Sequence, residues 1–404
     1  MTPASDTTHK ALSRRIKQHV IGRPQDFYTI TLPGLETLCR GELAALEDPP
    51  ADLRVSKGGV AFQGRLTSCY QANLMCRTAS RFLMRIQQCK ARHFDELEER
   101  VRAVPWELYL KIDVSLEVRA SIRRSKLYHS QAVSERILKA VSARLALHGR
   151  KDAGTEREGP VQCIWAHLQE DRLTLSLDSS GAPLHKRGIK TTGGPAPLRE
   201  TLAAGALMQA GFDSQTVLCD PMCGSGTLAI EAALLATNTA PGLFRDNFGF
   251  MHLRSFDRAV WIKMVEDARA QTRPCEADIF ASDLSADAVS IAKINARAAG
   301  MDQNIRFETV DFRKISIPPE PGIVIVNPEY GERLGEEEAL KVTYAEIGDL
   351  FKKQCKGYTG YIFTGNRELA KVVGLRTRRK VPFYNGKIEC RLLEYELYEG
   401  SKKK

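Results

Sequence analysis

The C-terminal half of the sequence predicts an α/β fold, a doubly wound parallel sheet, with a separate α+β module ahead of it. Three observations carry this. In residues 216–233, TVLCDPMCGSGTLAIEAA, a short apolar run stops on Asp220 and turns through Pro221, Cys223, Gly224, Ser225 and Gly226. It then enters a helix-forming run that lasts until Asn238, Pro241 and Gly242. Further on, apolar runs recur and stop on polar side chains: 277–282 on Asp283, 306–310 on Asp311 and 322–326 on Asn327, while 360–364 stops on Gly365. In a parallel sheet such ends share the carboxyl edge, where ligands bind. Last, Asn385-Gly386 separates two strand-like runs within 381–398, so the sheet closes with an antiparallel hairpin.

Taken in order, residues 1–24 are polar and basic, with Lys10, Arg14, Arg15 and Lys17, and read as a flexible arm. Strands are expected from Phe27, at 59–62, 81–87, 115–120, 162–168 and 172–177. Helices are expected after Gly34, at 94–103 and at 131–147. The mixture lacks strict βαβ alternation, which is the α+β pattern. Arg119, Arg123, Arg124, Lys126, Tyr128 and His129 lie between a strand and a helix start. Basic residues around an aromatic suit a nucleic-acid backbone, and equally a solvated loop. Residues 179–194 are rich in Gly, Ser and Pro and read as a surface linker whose Lys186, Arg187 and Lys190 also face RNA. A helix follows, with Pro197 near its first turn and Leu198, Leu202 and Ala206 on one stripe. Residues 241–273 form an insertion with a helix around Trp261 and Met264, and 285–298 form a further helix.

The glycine loop departs from a dinucleotide fingerprint in an informative way. Ala229 stands where the third glycine belongs, and Asp220 places an acid in the loop. An acid repels phosphate and suits a cation, which points to S-adenosylmethionine rather than a nicotinamide cofactor. Taken alone, the loop also fits a tight turn kept small for packing. Asp283 is placed to accept two ribose hydroxyls, and Asp311 an adenine amino group with Phe312 packed on the base; either acid also fits a helix cap. In Val326-Asn327-Pro328-Glu329-Tyr330, the Asn327 amide oxygen and the Pro328 carbonyl can each accept a hydrogen from a purine amine. That directs the nitrogen lone pair at a sulfonium methyl, while Tyr330 stacks on an extruded base.

The chain has 404 residues, 43% apolar and 27% charged, so it is long enough for two or three folded domains and is not disordered throughout. Its net charge of +10 favours a polyanionic partner. The ten cysteines include no C-x-x-C pair and no zinc spacing, so no metal is expected and the thiols read as buried in a reducing cytoplasm. No apolar run reaches membrane length, and no membrane partner is expected.

With these residues in view, the chain resembles the class I S-adenosylmethionine-dependent methyltransferases, specifically the RNA guanine-N2 methyltransferases with an N-terminal THUMP domain. His185-Lys186-Arg187-Gly188 and 196–201 resemble the family's segment ahead of its cofactor loop, and 220–227 resembles the loop. Ala240-Pro241-Gly242 with Arg245, Phe248 and Phe250 resembles its insertion, and 125–129 is similar to the end of a THUMP domain. The resemblance implies a Rossmann-like methyltransferase domain at 195–400. It implies a ferredoxin-like subdomain at 25–70, shared with later strands, and a THUMP domain at 71–178. It further implies cofactor contacts from Pro197, Asp220, Pro221, Gly224, Ser225, Gly226, Thr227, Asp283, Leu284, Asp311, Phe312 and Asn327. Catalysis falls to Asn327, Pro328 and Tyr330, and RNA contacts to Arg123, Arg124, Lys126, His129, Lys186 and Arg187. Bacterial enzymes acting on a guanine of 23S rRNA are the implied group, with tRNA-directed relatives sharing the motifs. One position departs: the family's tetrapeptide is Asn-Pro-Pro-Tyr, and Glu329 replaces the second proline. A catalytically impaired RNA-binding protein on the same scaffold is the alternative that this departure raises.

Overall fold

The structure, a computed structural model, describes residues 3–149, 159–189, 198–329, 337–386 and 388–398. The N-terminal residues are not a free arm. α1 (Pro3–Ile16) continues into a π-helical turn to Ile21, Ile16 and Val20 are buried, and Arg15 reaches the fully buried Glu107 across 3.4 Å. Apolar anchors at Ile16 and Val20 outweigh the solubility of the intervening basic residues.

The N-terminal half is one seven-stranded sheet. In chain order it contains β1 (Gln25–Thr31), α2 (Glu36–Ala44), β2 (Ala51–Ser56), β3 (Gly59–Gly64), α3 (Leu66–Met75) and β4 (Ala79–Lys90). α4 (Phe94–Ala103), β5 (Ser115–Arg123), α5 (Ser130–Ala146), β6 (Val161–Gln169) and β7 (Arg172–Asp178) follow. The strand order is β2-β3-β1-β4-β7-β6-β5, antiparallel except for the β5·β6 pair. β4 pairs with β1 on one side and β7 on the other, so the two N-terminal subdomains share a continuous sheet. One face is packed by Phe27, Phe62, Phe82, Ile164 and Leu175 against helix residues such as Val101, Ile137 and Val141.

The C-terminal half begins with α6 (Glu200–Gln209), β8 (Val217–Asp220) and α7 (Thr227–Ala236), then α8 (Arg258–Ala270), β9 (Ile279–Asp283), α9 (Ala286–Ala298) and β10 (Ile305–Thr309). It ends with β11 (Gly322–Val326), α10 (Glu337–Lys353), β12 (Thr359–Thr364), α11 (Arg367–Val372), β13 (Arg379–Asn385) and β14 (Ile388–Glu396). Its order is β10-β9-β8-β11-β12-β14-β13, with the first five strands parallel and β14 antiparallel to both neighbours. α6, α7 and α9 cover one face through Leu202, Ala233 and Ala292, and α10 covers the other through Tyr344, Ile347 and Phe351. From β8 the chain moves to β9 on one side and later to β11 on the other. That reversal opens the crevice at their carboxyl ends.

Over its described residues, 179–189, the expected surface linker is packed instead, while Lys190 falls outside the described residues. Ser179, Ser180, Leu184, Arg187 and Ile189 are buried. Arg187 is 2% exposed, pairs with Glu231 of α7 at 3.2 Å, and donates to the Leu184 and Arg77 carbonyls. The insertion after α7 also packs back on the N-terminal half: Phe250 stacks on Tyr70 with ring centroids 4.4 Å apart, and Leu253 bridges Leu110. Arg77, from the loop before β4, donates to the Leu234 and Thr239 carbonyls. The halves are therefore bolted by buried charge and aromatic contact.

Candidate cofactor crevice and active site

β8, β9, β10 and β11 bring Asp220, Asp283, Asp311 and Asn327 to one edge, in the lateral order Asp311, Asp283, Asp220, Asn327. Val324 pairs with Cys219 in parallel register, so Asn327 lies just past the end of the strand beside Asp220. Adjacent strands are about 4.8 Å apart, which keeps the catalytic and cofactor candidates in one crevice.

The glycine loop is held from two sides. Gly224 and Gly226 have φ of 51° and 82°, in the left-handed region, and a Cβ on Gly226 would meet the Ala292 Cβ at 3.0 Å. Glycine at 226 thus serves both the turn into α7 and the close approach of α9. Asp283 accepts from the Gly224 N–H at 3.0 Å through one oxygen and from the Ser285 N–H at 3.0 Å through the other. Asn295 of α9, fully buried, donates from Nδ2 to the Ser225 carbonyl at 3.1 Å. Asn295 escaped the sequence reading, although a polar residue beside Ala292 and Ala296 on a buried helix stripe was a usable signal.

Asp220 is 1% exposed, and neither carboxylate oxygen has a hydrogen-bond partner among the described residues. Burial, reinforced by the Asp283 charge, pushes its pKa up to about 8. The Met222 backbone N–H lowers it slightly without reaching hydrogen-bond geometry. A buried, unpartnered carboxyl is costly unless a ligand completes it. Asn327 carries the second orphan: its Oδ1 is buried and has no partner among the described residues, next to the buried Pro328 and the exposed Glu329. One orphaned acid and one orphaned amide acceptor on neighbouring strand ends fit a cationic cofactor on one side and an amine on the other.

Other candidates fare differently. Asp311 caps the turn at Phe312 and takes the Arg313 guanidinium on both oxygens, which holds its pKa down to about 2. Arg313 also pairs with Glu346 at 2.9 Å, so an adenine amino group would have to compete for Asp311. Leu284 is 71% exposed at the crevice rim, a free apolar wall for a base. Pro221, Ser225 and Thr227 lie in the loop and the first turn of α7. Pro197 and Tyr330 fall outside the described residues.

Arg123, Arg124, Lys126 and His129 are exposed together, and Tyr128 is 83% exposed. Their loop is braced by the β6–β7 turn: Lys126 N–H donates to Asp171, Asp171 N–H to Ser125 Oγ, and Glu170 N–H to the Arg123 carbonyl. The His129 ring nitrogen accepts the Ala132 N–H at 3.3 Å and caps α5. Lys186 is exposed, but Arg187 is not available to RNA. Its pairing with Glu231 corrects that assignment: a basic residue in a Gly/Pro-rich stretch reads as solvated from composition, whereas here it crosses the domain junction.

Three family profiles match successive stretches of the chain. Residues 187–394 match the profile of the RMKL-like methyltransferase domain, 26–83 the RlmL ferredoxin-like domain and 91–178 the THUMP domain. A ribosomal RNA large subunit methyltransferase K/L of Syntrophotalea carbinolica is 38% identical over 93% of this chain and 54% of its own length. A Synechocystis protein named as an RNA methyltransferase is 34% identical over 92% of this chain and 97% of its own. The chain spans about half the length of the K/L relatives it matches and nearly all of the Synechocystis protein. Among solved structures, the methyltransferase SMU.472, determined with S-adenosylhomocysteine, superposes with a TM-score of 0.85 at 28% identity, covering 94% of this chain and all of its own.

Proposed function

Since the chain belongs to the RMKL-like methyltransferase family, with a THUMP domain and an RlmL ferredoxin-like domain ahead of its catalytic half, we propose that it methylates the exocyclic N2 amine of a guanine in RNA. The 23S rRNA is the substrate we favour, because relatives named for the large ribosomal subunit align over nearly the whole chain. The same kinship supports a cytoplasmic site of action. No described helix is long and apolar enough to cross a membrane.

The observation that carries the reading is the pair of orphaned acceptors, Asp220 and Asn327 Oδ1, on adjacent strand ends. S-adenosylmethionine, when bound, supplies an electrophilic methyl on a sulfonium. Asp220, in its ionised form, faces that positive half, while Asp283 fixes the loop and has an edge for ribose hydroxyls. Leu284 walls the base. A guanine amine is a poor nucleophile because its lone pair is spread into the ring. Asn327 Oδ1 and the Pro328 carbonyl each accept one N–H, which localises the lone pair and aims it at the methyl. After transfer the amine loses a proton, and the exposed Glu329 is the nearest carboxylate in the motif to take it.

The test is transfer of isotopically labelled methyl to total RNA stripped from cells lacking this protein, followed by nucleoside mass spectrometry. N2-methylguanosine in large-subunit rRNA supports the proposal. Label in tRNA alone moves the substrate, and label in N6-methyladenosine refutes the base assignment.

A further inference from the structure

The N-terminal sheet has a second, open face, on which cross-strand partners align in one row. Arg85 opposes Ser176, Ser176 opposes Trp165, and Trp165 opposes Arg119, so these four side chains share that face. Arg119 lies over the Trp165 ring at 6.0 Å and Arg81 at 5.3 Å, while Arg85 lies over Tyr28 at 4.5 Å. Arg81 is buried on Asp178, whereas the exposed Arg119 and the half-buried Arg85 keep an outer guanidinium face of the kind unpaired bases stack on.

At the end of this face nearest the catalytic half is a cavity of about 420 Å³. Arg81, Glu117 and Arg119 line it from the open face, and Asn247, Gly249 and His252 line it from the insertion; Gln162, on the same side of β6 as Ile164, reaches it only at the strand's end. Gln162 is fully buried. Its Nε2 donates to the Asp178 and Cys163 carbonyls, while Oε1 has no partner among the described residues. Arg119 is bonded to Glu117 at 2.8 Å and Arg81 to Asp178, so this end is close to neutral and suits a base better than a phosphate. The exposed cations Arg123, Lys126 and Arg172 lie at the other end of the same strands. Arg123 follows Arg119 by two alternations on β5, roughly 13 Å.

We propose that this face binds a single-stranded stretch of RNA running along β5 and β6, its backbone against Arg123 and Lys126 and one unpaired base in the cavity beside Arg119. This rests on the RNA-directed reading above and adds the form of RNA recognised. A duplex offers neither a free base for the cavity nor exposed ring faces for the stacked arginines. The site joins the two halves of the chain, because the far wall belongs to the catalytic half.

The experiment measures fluorescence anisotropy of a labelled mixed-sequence pentaribonucleotide and of a blunt RNA duplex. The full chain is compared with Arg119→Ala, Trp165→Leu, Trp165→Phe and the double variant Arg123→Glu/Lys126→Glu. The wild type is expected to prefer the pentaribonucleotide. Arg119→Ala and Trp165→Leu should each weaken it roughly tenfold, with Trp165→Phe restoring most of the loss. Calorimetric cofactor affinity equal to wild type checks the fold of Arg119→Ala, which is decisive by itself should Trp165→Leu misfold. Unchanged pentaribonucleotide binding in Arg119→Ala, with loss only in the Arg123/Lys126 variant, overturns this inference and leaves the RNA reading intact. Absence of binding to either RNA by the wild type overturns both.

Discussion

Asn295 on α9 holds the Ser225 carbonyl at 3.1 Å, so the helix after the second strand of the crevice fixes the loop after the first. With Ala292 pressed against Gly226, this pair sets the width of the cofactor loop from behind. Replacing Asn295 by Ala removes the donor to a partly buried carbonyl, a cost of about 1 kcal/mol. The expected result is weaker cofactor binding by calorimetry with RNA affinity unchanged; equal weakening of both would mean general unfolding rather than loss of loop support.

Asp220 makes cofactor binding pH-dependent. In the ligand-free protein its carboxyl has a pKa of about 8, well above the unfolded value, so it is protonated at neutral pH and must ionise to face a cation. Cofactor affinity should therefore rise from about pH 6 to about 8, with proton release visible as a buffer-dependent binding enthalpy.

The same shift predicts a trade between stability and binding. A carboxyl whose folded pKa is raised contributes most below its unfolded pKa, and that contribution is lost as pH climbs toward about 8. Asp220→Asn should accordingly raise the thermal midpoint of the ligand-free protein at neutral pH while weakening cofactor binding. A lowered midpoint would show that Asp220 is ionised and supported in the free protein.

Arg187 and Glu231 form an ion pair with both side chains almost fully buried. Glu231→Gln or Arg187→Met alone should destabilise the protein by about 3–5 kcal/mol in denaturant unfolding, because each leaves an uncompensated partner. The double variant Arg187→Met/Glu231→Leu should recover much of the loss. RNA affinity of the folded double variant should equal that of the wild type; a marked drop would return Arg187 to the RNA surface.

The sequence made the catalytic half legible because its signals are periodic and local. The glycine loop, the polar strand ends at Asp283, Asp311 and Asn327, and the Asn385-Gly386 hairpin all lie in the expected elements. α3 was hidden by burial on nearly every side, from Leu66 through Cys69 and Tyr70 to Leu74, which erases the helical period. β2 was hidden by the opposite condition, since five of its six residues are exposed and no alternation results. Arg187 and Asp311 show a third limit: residue type predicts what a side chain can bind, whereas neighbours such as Glu231 and Arg313 decide what it does bind.

Single-turnover methyl transfer by Asn327→Ala, measured beside its cofactor affinity, separates a role of Oδ1 on the amine from a role in holding the cofactor. Transfer is expected to fall by at least about a hundredfold, with cofactor affinity within a few fold of wild type, since Oδ1 acts on the amine. Transfer at the wild-type rate, or loss of transfer explained wholly by lost cofactor binding, would contradict it.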